Sequence, residues 1–248
     1  MMRPLAEYVE NPQAIIAFLE KLRQSIIQMA VVVLVFSLVG YVLSKDILSF
    51  LQRHTGVTLA YYALSETFFA LLTIALAVSL VISTPFILFK LLSALHATFD
   101  NFTRSMMISF WVGSVFLFYL GASFCLWITL PYGTKFLLGF QNQNLEAIIS
   151  VRKFISFCLT FIFGFGIMFE LPLVMVLLGR VGLVKRSVFT RYRSYAILII
   201  AILSAVLTPT PDAFNMMLMA VPLYILYEIG IIGMRIWGKR TLSSIAID

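Results

Sequence analysis

The chain has 248 residues, of which 61% are hydrophobic and only 12% charged, with a formal net charge of +7. A soluble domain carries about 25% charged residues, so a water-soluble globular protein is excluded, whereas a bilayer solvates such a chain. A spanning helix needs about 20 apolar residues, so the length accommodates six spans and short loops but no separate soluble domain.

Taken in order, Asn11-Pro12 can start a helix. Ile15, Ile16, Leu19, Leu22, Ile26 and Ile27 then recur at helical spacing, with Glu20, Lys21 and Gln24 opposite. Residues 1–25 therefore read as a cytoplasmic amphipathic segment lying at the interface and leading into the first span. That span, Ile26 to Ser44, is too long for a signal-peptide core and has no A-x-A site after it, so it is expected to stay in place. The second span is Phe68 to Leu92, and the third is Met106 to Leu130, closed by Pro131. A short helix on the outer interface is expected within Tyr132 to Lys153, and the loop Lys45 to Glu66 is its counterpart between spans one and two. The fourth span is Phe154 to Leu178. The fifth, Tyr195 to Leu207, reaches only about 20 Å of a roughly 30 Å hydrocarbon core. A turn at Pro209 and Pro211 ends it, and Phe214 to Ile232 forms the sixth. The expected architecture is one all-α membrane domain over 1–248, with six spans in 26–232 and a cytoplasmic tail from 233.

Lys and Arg set the orientation. Thirteen of the eighteen fall on one side, near both termini and in the second and fourth connections; the others are Lys45, Arg53, Lys135, Arg152 and Lys153. Both termini are therefore expected in the cytoplasm, with the excess charge contacting anionic lipid. The positives are scattered over four segments, not gathered on one face with aromatics between them, so nucleic acid is not an expected partner.

Among the acids Glu170 stands out, in FGFGIMFELPLVMVLL, well inside the fourth span. An ionised side chain at bilayer centre costs about 2.5–3.5 kcal/mol on insertion scales, so it must face helices or a wetted cavity, or be protonated. Pro172 frees the carbonyl of Met168 and favours a kink there. A docking point for a polar partner group stands against a plain helix–helix hydrogen bond. Glu228 can snorkel or pair with Arg191 or Arg193, Asp212 can cap the sixth span, and Glu66 favours the helix dipole at the start of the second. Cys125 and Cys158 lie in apolar runs and read as small buried hydrophobes. His54 and His96 fall on opposite sides of the membrane and cannot share a metal. With no GxSxG, HExxH or P-loop, neither an enzyme nor a cofactor is expected.

Four stretches carry a resemblance. LEKLR (Leu19–Arg23) resembles a His-Leu-x-Glu-Leu-Arg motif. FLFYLGASFCLWITLPYGTKFLL has Gly121, Phe124, Pro131 and Phe136 at matching places; FGFGIMFELPLV has Phe169, Glu170 and Pro172; and LTPTPDAFNMMLMAVPLYILYEIG has Pro209, Asp212, Pro222, Tyr227 and Glu228. Together they are similar to the TatC family, the multi-spanning subunit of the twin-arginine protein translocase, from about Phe18 to Lys239. The resemblance implies a cupped bundle with capped outer loops, in the cytoplasmic membrane of a bacterium or the equivalent organelle membrane. It implies binding of signal peptides of folded precursors, and hetero-oligomers with single-span partner subunits (TatA/TatB-like), driven by the protonmotive force. Glu170, with Pro172, Asp212 and Glu228, would contact partner spans.

The signal-binding residues implied are Glu20, Lys21, Arg23, Asp100 and Thr103. Lys21 stands where the motif has glutamate, with Glu20 one residue earlier and Phe18 at the histidine position. Thr103 stands where the first cytoplasmic loop of the family has its second acid, and Asp100 is the neighbouring carboxylate. Paired carboxylates hold a diarginine best. Two expectations follow: a translocase subunit using Asp100 and Glu20 or a paralogous receptor, or an assembly scaffold on the same fold that has lost signal recognition.

Overall fold

The computed structural model describes residues 12–60, 64–98, 102–139, 149–184, 186–207 and 213–237, with side chains of the first helix from Arg23 onward. The described residues are almost wholly helical. Five helices are long and apolar enough to cross a membrane: Arg23–Thr55, Ser65–His96, Arg104–Phe136, Val151–Val181 and Met216–Ile236; Arg193–Val206 is apolar but shorter. Val42, Leu38 and Val206 are 76%, 68% and 74% exposed, at the centre of broad apolar surfaces that only lipid or another apolar partner covers.

Helix α1, Pro12–Thr55, joins the amphipathic segment and the first span in one helix of 44 residues, passing Ser44 by more than two turns. Lys45, Asp46 and Arg53 do not break it, because charged residues at an interface retain helix propensity. It ends at Gly56, whose φ of 69° suits a residue without Cβ and whose N–H bonds the Gln52 carbonyl. Strand β1, Leu59–Ala60, pairs in parallel with β2, Ile149–Ser150. Helix α2, Leu64–Thr98, has Pro85 in its interior.

Helix α3, Arg104–Phe124, does not close at Pro131 as expected. It runs through a π-helical turn, Cys125–Thr129, into α4, Leu130–Leu138. The Leu130 N–H reaches back five residues to Cys125. This wider turn brings Pro131 into the first turn of α4, where a missing N–H costs nothing. The expected outer-interface helix is thus an extension of the third span. Helices α5 (Val151–Phe169) and α6 (Leu171–Val181) form the fourth span, interrupted at Glu170. They are followed by α7 (Arg186–Arg191), α8 (Arg193–Leu207) and α9 (Ala213–Trp237). At 15 residues, α8 is about 22 Å long, short of the roughly 30 Å core as expected. The expected proline turn at 209–211 lies outside the described residues.

Two compact units emerge, 1–111 with 141–159 and 112–140 with 160–248, and α3 and α5 run from one into the other. In the first, α1 packs along α2. A Cβ at Gly40 would lie 2.5 Å from the Ala75 carbonyl oxygen, so the two backbones touch as only a glycine permits. Trp111 Nε1–H donates to the Pro85 carbonyl at 2.8 Å, fixing α3 beside the proline. In the second unit, Phe161, Phe165, Leu130, Met219 and Leu223 are essentially inaccessible. Gly121 rests on Phe165 and Phe169, where an added Cβ would lie 2.6 Å from the Phe165 carbonyl oxygen. Cys125 and Cys158 are both fully buried.

Candidate functional site

Three places gather polar groups on this apolar frame. The first surrounds Glu170. Pro172 lacks the N–H that would have bound the Met168 carbonyl, and the ladder tightens instead, with Glu170 N–H bonding Ile167 O at 3.1 Å. The helix restarts with Val174 N–H on Glu170 O. Helix α3 passes this break with its small residues, and a Cβ on Gly113 would lie 3.2 Å from Leu173. Ser114, 4% exposed, donates its hydroxyl to Glu170 Oε2 at 2.6 Å. Glu170 Oε1 is buried and has no partner among the described residues. A carboxyl oxygen excluded from water with no donor is costly unless one arrives from outside. Oε1 keeps the capacity for one further hydrogen bond, and a donor from outside the chain reaches it only when the packing around it moves. Pro172 is buried beside α9, its Cα 3.1 Å from where a Cβ on Gly230 would stand.

The second place is the far end of α9. Glu228 Oε2 pairs with Arg193 at 2.9 Å, and Tyr224 donates to Oε1 at 3.2 Å. Tyr227 donates to the Phe189 carbonyl at 2.7 Å, tying α9 to α7. Glu228 and Gly230 are two residues apart, about 200° around a helix, so Glu228 serves α8 while Gly230 meets Pro172. The structure therefore does not join Glu228 to Glu170. Asp212 lies outside the described residues.

The third is the amino-terminal region. Glu20 and Lys21 lie on the α1 backbone, their side chains outside the described set; Arg23 is exposed; Asp100 lies outside the described residues. Thr103 is the cap of α3: its exposed Oγ1 accepts from Met106 N–H at 3.4 Å, a role its Ser/Thr chemistry serves whatever it binds. Two contacts were not legible in advance. His96 Nδ1 hydrogen-bonds the carbonyl of Phe102, which is 1% exposed, and so staples the end of α2 to the start of α3. Lys90 Nζ donates to Gln28 Oε1 at 2.7 Å with the Phe86 ring 5.5 Å away. Asp46 and Glu66, the described carboxylates of this unit, sit at the other ends of these helices. Asp46 is about 34 Å along α1 from Arg23, at 1.5 Å per residue. Glu66 accepts from Ser150 Oγ–H and from the Arg152 N–H at 3.2 Å, so it also serves the start of α5.

Among the described residues no group of three His, Cys, Asp or Glu side chains could hold a metal ion.

Comparison with known proteins converges. The family model described as "Sec-independent protein translocase protein (TatC)" matches residues 17–222. The TatC of Desulforapulum autotrophicum is 35% identical over 185 residues, covering 75% of this chain and 68% of that one. The TatC of Aquifex aeolicus is 33% identical over 220 residues (86% and 91%), and that of Escherichia coli K12 27% identical over 238 (93% and 92%). A crystal structure described as the twin-arginine translocase receptor TatC superposes with a TM-score of 0.78 at 32% identity, covering 86% of this chain and 97% of that one. These matches show that the chain belongs to the TatC family, as a multi-pass membrane component of a Sec-independent protein translocase and not an enzyme.

Proposed function

We propose that this chain receives the signal peptides of folded precursors at the cytoplasmic membrane surface and nucleates the translocation site with single-span partner subunits. The observation that carries the reading is Glu170, with one oxygen held by Ser114 and the other buried with no partner among the described residues. A polar side chain on a partner span supplies the missing donor. On this reading Pro172, Asp212 and Glu228 also contact partner spans. Six spans with both termini in the cytoplasm follow from the Lys and Arg distribution and from taking α8 as a span. One membrane domain over 1–248 is read from the length, which leaves no room for a separate soluble domain. The membrane is a bacterial inner membrane or its organelle equivalent, the assembly a hetero-oligomer, and the driving force protonmotive, as in the family.

On this reading Glu20 and Asp100 supply the charge for the two arginines, with Lys21, Arg23 and Thr103 around them. The test is photocrosslinking from Phe18, Asp100 and Thr103 to a precursor with a twin-arginine signal. Crosslinks lost when the two arginines become lysines are expected. Crosslinks that ignore the change would overturn the receptor role.

A second reading, an assembly scaffold without signal recognition, is favoured by one observation. Thr103, at the place of the family's second acid, is occupied as a helix cap. It predicts partner crosslinks at Glu170 and no signal-dependent crosslink at the amino-terminal region.

A further inference from the structure

Where α2 ends, a histidine side chain reaches across to the backbone just ahead of α3. His96 Nδ1 hydrogen-bonds the Phe102 carbonyl. A carbonyl only accepts, so Nδ1 carries the proton in this contact. The carbonyl of Phe102 and the N–H of Thr103 belong to one planar peptide unit, so the bond fixes the plane from which Thr103 departs. The other side of Thr103 is held as well. Its carbonyl accepts from Met107 N–H at 2.9 Å, and its Oγ1 from Met106 N–H at 3.4 Å. The Phe102 side chain is 1% exposed, with the His96 ring 6.2 Å away and steeply inclined to it. The helix that bears His96 is fixed in turn, because Lys90 Nζ donates to Gln28 Oε1 of α1 at 2.7 Å. Gln28 lies about two turns of α1 beyond Lys21. Thr103 is thus tied through α2 to the helix that carries Glu20 and Lys21.

We propose that His96 is a positioning residue for signal recognition: it pins the Phe102–Thr103 peptide unit, and so sets where Thr103 is offered to a twin-arginine signal. This rests on the receptor role proposed for the chain. His96 does not touch the arginines; it acts through the backbone of residues 102 and 103. A surface ordered before its ligand arrives binds more tightly than one that must be ordered on binding. A ring that only packed on Phe102 would fill the same space without directing the peptide plane. The donor at Nδ1 is what gives the contact its direction.

The test measures binding of a fluorescent synthetic twin-arginine signal peptide to the full chain in nanodiscs. His96→Phe keeps a ring against Phe102 and removes the donor, and should weaken binding roughly threefold to tenfold, the effect of one net hydrogen bond. His96→Asn loses the ring but places an amide N–H where Nδ1 stands, and should recover most of the affinity, which a packing role would not allow. Amide exchange at Met106 and Met107, read without peptide, should quicken in His96→Phe and slow again in His96→Asn. Crosslinking to a single-span partner from Ile167 should be equal in all three chains. Unchanged affinity in His96→Phe, or an asparagine variant no better than the phenylalanine one, would overturn the positioning role and leave the receptor role standing. An unsubstituted chain that binds this peptide no better than its twin-lysine counterpart would overturn the receptor role, and the positioning role with it. Should His96→Phe fail to fold, His96→Leu against His96→Asn makes the same comparison.

Discussion

Glu170 has two oxygens with different fates, and substitution can separate them. Ser114→Ala removes the one partner that Oε2 has among the described residues without touching Oε1. An interhelical hydrogen bond inside a membrane is worth about 0.6–2 kcal/mol. The bond is short, at 2.6 Å, and its donor is buried, which places this one towards the upper part of that range. A loss of 1–2 kcal/mol lowers the folded-to-unfolded ratio by about 5–30-fold. Reversible unfolding in mixed micelles, or steric trapping in bicelles, resolves that change. Crosslinking to a single-span partner from a photoprobe at Ile167, which is 65% exposed, should survive because Oε1 is intact. Glu170→Ala removes both oxygens and should abolish the crosslink. The reasoning is refuted if Glu170→Ala leaves partner crosslinking unchanged, or if Ser114→Ala abolishes it in a chain that remains folded.

Other substitutions test the frame. Gly40→Leu drives a side chain into the Ala75 backbone, which cannot yield as a side-chain tip would, and should cost about 1–3 kcal/mol and loosen α1 from α2. Cysteine pairs across the two helices read this as lost disulfide formation. The Arg193–Glu228 pair has side chains 48% and 28% exposed, so a double-mutant cycle with Arg193→Gln and Glu228→Gln should give a coupling of only about 0.2–1 kcal/mol, falling with salt. Thr103→Ala should cost about 0.5 kcal/mol, the low end for a lost cap given its long bond, and Thr103→Ser should restore it. Equal stability of the two variants in denaturant would remove the capping role.

What the sequence made legible was whatever left a local mark. Glu170 is a charge inside an apolar run, Pro172 fixes its own consequence for the backbone, and Glu228 has arginines within plausible reach; the structure chose Arg193 over Arg191. The partner of Glu170 left no such mark. Ser114 is an ordinary hydroxyl 56 residues away in chain order, and only the packing of α3 on the break brings it there. The parallel pairing of Leu59–Ala60 with Ile149–Ser150 is two residues long, too short for any periodicity to announce it. Pro131 misled for a related reason. A proline forbids the ordinary α-helical bond but not a π-helical turn that removes the need for it, and Cys125 and Thr129 of that turn are both buried. At the amino-terminal region the departures at Lys21 and Thr103 were visible as letters. The cap made by Thr103 and the His96–Phe102 staple depend on where α2 ends and α3 begins, which no local pattern announces.

The central claim is that this chain still serves twin-arginine signals. The most direct measurement is export of a folded fluorescent reporter carrying such a signal, in cells whose own TatC-family subunit is deleted and replaced by this chain with its single-span partners. The account predicts reporter outside the membrane, and none when the two signal arginines are changed to lysines. Absence of export from a chain that is inserted, folded and crosslinked to its partners at Glu170 would contradict it, and would leave a scaffold that assembles without receiving cargo.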